Sequence, residues 1–220
     1  LNQSLRLTDR GVQEVIRQCP GLVSLDLSHC PLLTQKCLET LPETFYALNL
    51  AGTDISFQKS IKDLEILKVE RTPFSSEELR KLPKLCPHLL TLQLSYSPFT
   101  GKEIREAIEH LPLYRLTLDE CDALEDQEAQ ELLAPHPHLR FLHLERCHHL
   151  TDALFLSLKE CRLRHLSLRG AYRLTDRGLE ALLKLPLDAL EIQGCANFTD
   201  RGLAAVEAAQ EKFSKLQINT

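Results

Sequence analysis

Leu139-Arg-Phe-Leu-His-Leu-Glu-Arg-Cys147-His-His-Leu-Thr151-Asp152 is followed by Leu163-Arg-His-Leu-Ser-Leu-Arg-Gly-Ala171-Tyr-Arg-Leu-Thr175-Asp176 and by Leu187-Asp-Ala-Leu-Glu-Ile-Gln-Gly-Cys195-Ala-Asn-Phe-Thr199-Asp200. The three segments align without a gap at steps of 24 residues. Each holds a pair of apolar residues two apart: Leu142/Leu144, Leu166/Leu168 and Leu190/Ile192. Alternation of period two marks a short strand with one buried face. A further apolar residue stands three places before each pair, and a small residue three places after it.

Working outward, the same pair recurs at Leu25/Leu27, Leu48/Leu50, Leu67/Val69, Leu92/Leu94, Leu116/Leu118 and Leu216/Ile218. Successive pairs lie 19 to 26 residues apart, the period of a solenoid built from one short strand per repeat. The small residue is Cys30, Thr53, Thr72, Ser97, Cys121, Cys147, Ala171 or Cys195. Here the chain leaves the strand, and a small polar side chain caps backbone groups in a tight column.

A Thr or Ser then opens a helix: Thr8, Thr34, Ser75, Thr100, Thr151, Thr175 and Thr199. These are N-cap residues, and Ser75 with Glu78 and Thr100 with Glu103 fit the capping box. Apolar residues at steps of three and four follow, as in Leu179, Leu182 and Leu183. After a Cys or Ala171 exit the cap comes seven residues beyond the second anchor; after Thr53, Thr72 or Ser97 it comes six beyond. Residues Phe57 to Asp63 are too few for a full helix, so an irregularity is expected there.

The Cys-type exits followed by Leu-Thr-Asp resemble the cysteine-containing leucine-rich repeats of F-box/LRR proteins, over Leu7 to Ile218. Cys30, Cys121, Cys147 and Cys195 match that family's ladder cysteine, and Cys19, Cys86 and Cys161 the cysteine at its helix ends. The resemblance implies an α/β leucine-rich-repeat solenoid, a horseshoe with a concave parallel β-sheet of about nine strands and helices on the convex side. The expected organisation is a single domain over residues 1–220, with residues 1–21 giving the N-terminal helix of a partial or capping repeat. No stretch resembles an F-box. The chain lacks an initiator Met and stops just after its last anchor, so the expectation is a processed or excised piece whose last strand edge is either continued by more chain or covered by something else.

Composition narrows the function. The chain has 220 residues, 43% hydrophobic, 26% charged and 5% aromatic, ordinary for a folded domain. Its net charge is −5, which argues against nucleic acid and anionic membranes as general partners, since both attract net positive faces. No apolar run reaches the roughly 18 residues of a membrane span. Of the eight cysteines, none forms a CxxC pair. They are read as reduced structural thiols, which points to cytoplasm or nucleus, or to a host cytosol.

The alternation also assigns a working face. Residues before, between and after the anchors point away from the helices. In repeats five to seven this face concentrates Arg115, Asp119, Phe141, His143, Glu145, His165 and Arg169, with Tyr96, Glu120 and Arg146 in the next column. A Phe among Arg and His has the composition of a protein-binding hot spot; a solvated face with scattered charge is the alternative. Cys147-His148-His149 near His143 suggests zinc or a Cys–His nucleophile, but Cys147 falls on the inward column and His143 on the outward one. No spacing gathers metal ligands, so neither metal nor cofactor is expected. Asp9-Arg10-Gly11, Asp176-Arg177-Gly178 and Asp200-Arg201-Gly202 are helix starts rather than phosphate loops.

The expected function is protein recognition on the concave face, without enzymatic activity. By resemblance the setting is substrate binding for an SCF-type ubiquitin ligase, reaching a Skp/cullin complex through an F-box outside this chain. The alternatives are a stand-alone adaptor, a bacterial effector, and a hydrolytic enzyme using the concave histidines and carboxylates.

Overall fold

A computed structural model describes residues 1–158, 161–212 and 217–219. The chain begins with α1 (Asp9–Gln18) and β1 (Ser24–Asp26), followed by a single 3₁₀ turn (Gln35–Leu38), β2 (Ala47–Asn49) and β3 (Ile66–Lys68). Helices and strands then alternate strictly: α2 (Ser76–Leu85), β4 (Thr91–Gln93), α3 (Gly101–Ile108), β5 (Arg115–Thr117), α4 (Asp126–Leu133) and β6 (Phe141–His143). The series continues with α5 (Asp152–Ser157), β7 (His165–Ser167), α6 (Asp176–Leu182), β8 (Ala189–Glu191), α7 (Asp200–Lys212) and the short β9 (Gln217–Asn219). Among the described residues no helix is long and apolar enough to cross a membrane.

The residues fall into two compact units, described separately. The first takes residues 1–97 with 106–113, the second residues 98–105 with 114–220. In the first, β1 to β4 pair in parallel, Ser24 opposite Ala47, Ala47 opposite Ile66 and Ile66 opposite Thr91. In the second, β5 to β9 do the same, Arg115 opposite Phe141, then His165, then Ala189, then Gln217. The register follows the anchors, because a one-residue slip would turn every leucine outward. Leu25, Leu48, Leu67 and Leu92 are buried in the first unit, and Leu116, Leu142, Leu166 and Leu190 in the second. Burying one such side chain stabilises the fold by about 1.5–3 kcal/mol.

Three residues beyond the end of each strand from β1 to β8 stands a residue in the left-handed region. The sequence puts Gly52, Gly170 and Gly194 there, but His29, Arg71, Tyr96, Glu120 and Arg146 adopt the same conformation, with φ between 51° and 60°. The cause is the ladder beyond the strand. Gly170 donates its N–H to the Gln193 carbonyl, Arg146 to Arg169 and Glu120 to Glu145, each across to the next repeat. That bond fixes the turn whatever the side chain, at a cost of roughly 1–2 kcal/mol where a Cβ is present.

The small residue comes next, and its two chemistries differ in reach. The Cys147 thiol donates back to the Leu118 carbonyl of the preceding repeat at 3.2 Å, and Cys195 to Leu168 at 3.3 Å. Thr53 and Thr72 instead donate to Leu50 and Val69 of their own repeats, both at 2.7 Å.

The helix entries carry a second polar ladder. In the second unit Thr151 donates its N–H and hydroxyl to the Asp126 carboxylate, Thr175 does so to Asp152, and Thr199 to Asp176. The same Thr151 and Thr175 side chains accept from N–H groups of their own helices. One hydroxyl thus caps its helix and ties it to the preceding one. The glycine of Asp-Arg-Gly makes room for this: a Cβ on Gly178 would lie 2.2 Å from Asp152 Oδ1, and one on Gly202 2.1 Å from Asp176 Oδ1. The capping boxes also form: Ser75 and Glu78 bond reciprocally at the start of α2, as do Thr100 and Glu103 at α3.

Between β2 and β3 there is no helix. Ile55, Phe57 and Ile61 are fully buried there, so large side chains on irregular backbone supply the apolar face that a helix would provide. Ile61 donates its N–H to the Leu85 carbonyl at 3.0 Å, which anchors the segment.

Candidate functional site

The outer sheet face of the second unit is built from rows that run across the strands. The first row is Arg115, Phe141 and His165, aligned by the pairing of β5, β6 and β7. The Arg115 guanidinium carbon sits 4.0 Å from the centre of the Phe141 ring. The His165 ring stacks on Phe141 with centroids 4.4 Å apart and 10° between planes. Tyr114 tilts against Phe141 with centroids 5.3 Å apart. Phe141 is therefore half-buried, covered by a cation and an imidazole, rather than the exposed ring that alternation alone predicts. The stack orders three side chains that would otherwise move freely, and the cation–π contact contributes about 0.5–2 kcal/mol.

The second row is Thr117, His143, Ser167 and Glu191. Burial first, and then the Arg115 guanidinium, hold His143 below its ordinary value. The Thr117 hydroxyl is buried and has no partner among the described residues. The third row holds the carboxylates and their partners. Asp119 accepts the Glu145 N–H at 3.0 Å, and Glu145 accepts the Ser167 hydroxyl at 2.6 Å. Arg169 pairs with Glu191 and lies 3.9 Å from Glu145. In the column beyond, Arg146 donates to Glu120 at 2.6 Å.

Arg115, Asp119, Phe141, His143, Glu145, Arg146, His165 and Arg169 thus lie on one sheet face of the second unit. Tyr96 belongs to the first unit, where the Arg71 guanidinium lies 3.7 Å from its ring centre. The structure adds Tyr114 and Glu191, which the columns do not single out. Tyr114 precedes the strand; its carbonyl accepts the N–H groups of both Arg140 and Phe141. The same double acceptance recurs at Val23, Tyr46, Glu65, Arg140 and Arg164, so it is the regular entry to a strand, and here it places Tyr114 immediately beside the row of Phe141. A tyrosine next to a strand start was the only signal available.

The catalytic alternatives can be placed as well. Cys147 is buried on the inner column, its thiol directed at the Leu118 carbonyl, while His143 is on the outer face. Burial pushes the thiols of Cys37, Cys86 and Cys147 up to about 12. Such thiols carry almost no thiolate near neutrality and are poor nucleophiles. The pairing of His143 with Glu145 is loose, at 4.0 Å. Among the described residues no group of three or more His, Cys, Asp or Glu is arranged to hold a metal ion.

With this geometry in hand, the likeness to solved structures decides the architecture. The structure of the Rad7 and Elc1 complex in yeast superposes with a TM-score of 0.55 and 17% identity, over 97% of this chain and 73% of that one. The TLR13–ssRNA13 complex superposes with a TM-score of 0.60 and 18% identity, over 94% of this chain and 33% of that one. The fold is a leucine-rich-repeat solenoid. No model of a protein family and no curated sequence matches the chain.

Proposed function

We propose that this leucine-rich-repeat chain is a single protein-recognition domain, without catalytic chemistry of its own, that binds a partner on the outer sheet face of its second unit. One observation carries the reading: the pre-ordered Arg115–Phe141–His165 stack with Tyr114 on its flank. A solvated face has no need to order a phenyl ring between a guanidinium and an imidazole. An interface gains from it, because aromatic and Arg side chains fixed in advance lose less entropy on binding.

The finer setting rests on the resemblance of the Cys-type repeats to F-box/LRR proteins. On that reading the domain presents substrates to a Skp/cullin ubiquitin ligase, with the F-box supplied outside this chain, in the cytoplasm or nucleus. The test is affinity capture from a reduced cytosolic lysate, with an Arg115→Glu/Phe141→Ala double variant in parallel. A protein held by the parent and lost by the folded double variant supports the surface. Recovery of Skp and cullin subunits with a longer native chain that carries an F-box supports the ligase setting. A partner held equally by both chains overturns the surface.

A further inference from the structure

The charges on this face are not equally committed. The acids have partners: Asp119 takes the Glu145 N–H, Glu145 the Ser167 hydroxyl, Glu191 the Arg169 guanidinium and Glu120 the Arg146 guanidinium. The flanking arginines are also engaged. Arg140 donates to the Pro137 and Leu139 carbonyls, and Arg164 donates to the Pro186 carbonyl and Asp188. Arg115 differs. It lies over the Phe141 ring, and among the described residues it has no carboxylate partner. It is also half-buried, so its charge is only partly solvated. A guanidinium over a ring can keep N–H groups free at its edges, and such edges match a carboxylate in a bidentate pair. His165 on the other face of Phe141 can add a second donor, and the exposed Tyr114 hydroxyl a third. A chain with net charge −5 therefore carries, at one place, a guanidinium with no carboxylate in contact among the described residues.

We infer that the Arg115–Phe141–His165 row binds an acidic segment of a protein partner, an Asp or Glu side chain engaging Arg115 while neighbouring apolar atoms lie on Phe141 and Tyr114. This rests on the recognition reading above and specifies the chemistry of its partner. Neighbouring strands stand about 4.8 Å apart, so the row spans roughly 10 Å from Arg115 to His165. An extended segment repeats its side chains on one face at roughly 6.8 Å. Two such side chains cover the row, one acidic at Arg115 and one apolar or hydrogen-bonding toward His165.

The experiment is selection of random sixteen-residue peptides displayed on phage against the purified chain, in reducing buffer at low salt. The enriched peptides are then synthesised and titrated against the parent, Arg115→Gln, Arg115→Lys and Phe141→Ala chains. Thermal melts establish that each variant is folded. The expected result is peptides enriched in Asp and Glu whose affinity falls about tenfold or more with Arg115→Gln. The loss is smaller with Arg115→Lys, and binding weakens as salt is raised. Enriched peptides without an acidic excess that still lose affinity in Arg115→Gln and Phe141→Ala would overturn the acidic partner and leave the recognition surface standing. Peptides bound equally by all four chains would overturn both. Failure to enrich any peptide, or displacement of bound peptide by single-stranded oligouridylate at lower concentration than by poly-glutamate, would also overturn the acidic partner.

Discussion

The two units are made from the same strand and differ in how one repeat is tied to the next. In the second unit Asp126, Asp152 and Asp176 each take a Thr from the following repeat, and Cys147 and Cys195 each reach back to a carbonyl of the preceding one. In the first unit this kind of tie begins with Asp9 and Thr34, but the next caps carry no Asp after them. Thr53 and Thr72 close on their own repeats. It is also the first unit that lacks a helix between β2 and β3 and buries Ile55, Phe57 and Ile61 there instead. The leucine anchors set the architecture in both. The polar ladders, formed between repeats, go with more uniform repeat length where they are continuous, and with variable length where Thr53 and Thr72 bond within their own repeats. A solenoid is stabilised by its repeats and by nearest-neighbour terms. The second unit puts more of its polar bonding into the neighbour terms.

The largest expected effect breaks what the units share. Leu67→Ala and Leu166→Ala, each at a fully buried anchor, are expected to cost about 2–5 kcal/mol apiece, measured by urea unfolding. A cost confined to one unit would mean that the anchors do not act alike.

The next effect separates them. Gly178→Ala puts a methyl against the Asp152 carboxylate and is expected to destabilise by about 1–3 kcal/mol, although Ala normally favours a helix by nearly 1 kcal/mol. Gly21→Ala, with open space around its Cβ, is the control and should leave the thermal midpoint unchanged. A stabilised Gly178→Ala would remove the ladder as the reason for Asp-Arg-Gly.

Thr175→Val removes the α6 cap and the hydroxyl donor to Asp152, while the backbone N–H donor stays, and about 1–2 kcal/mol is expected to go with it. Hydrogen exchange at the first amides of α6 should rise most; uniform exchange across the chain would argue against a local tie.

The smallest effect is a pH dependence of the second unit. His143 is held below its ordinary value of 6.5 by burial and by Arg115, so the unfolded chain takes up this proton first. Its contribution is fully present above about pH 6.5 and declines as the pH falls toward the folded value. Urea midpoints at pH 7.5 and 5.5 should differ more in the parent than in His143→Gln. An equal difference would mean that His143 does not titrate with folding.

Much of this was legible in the residues. The Leu-x-Leu period fixed the strands, the Thr and Ser caps fixed where helices start, and Phe57 to Asp63 marked the gap in the helices, because each is a local pattern set by backbone geometry. The columns also put Arg115, Phe141 and His165 side by side, since parallel pairing in register carries one repeat's position to the next. What they left open was which side chains engage one another. Phe141 reads as exposed by alternation and is covered on both faces; Tyr96 reads as a neighbour of the patch and stacks with Arg71 in the other unit.

The sequence alone determined the repeat, its anchors and its caps, because spacing along a chain dictates which face of a strand or helix a residue occupies. Only the tertiary structure decided that six non-glycine residues among those described take the left-handed turn, that the Asp of one repeat serves the Thr of the next, and that Arg115 lies over a ring with no carboxylate partner among the described residues. Those outcomes depend on distances between residues more than twenty positions apart, which no local pattern encodes.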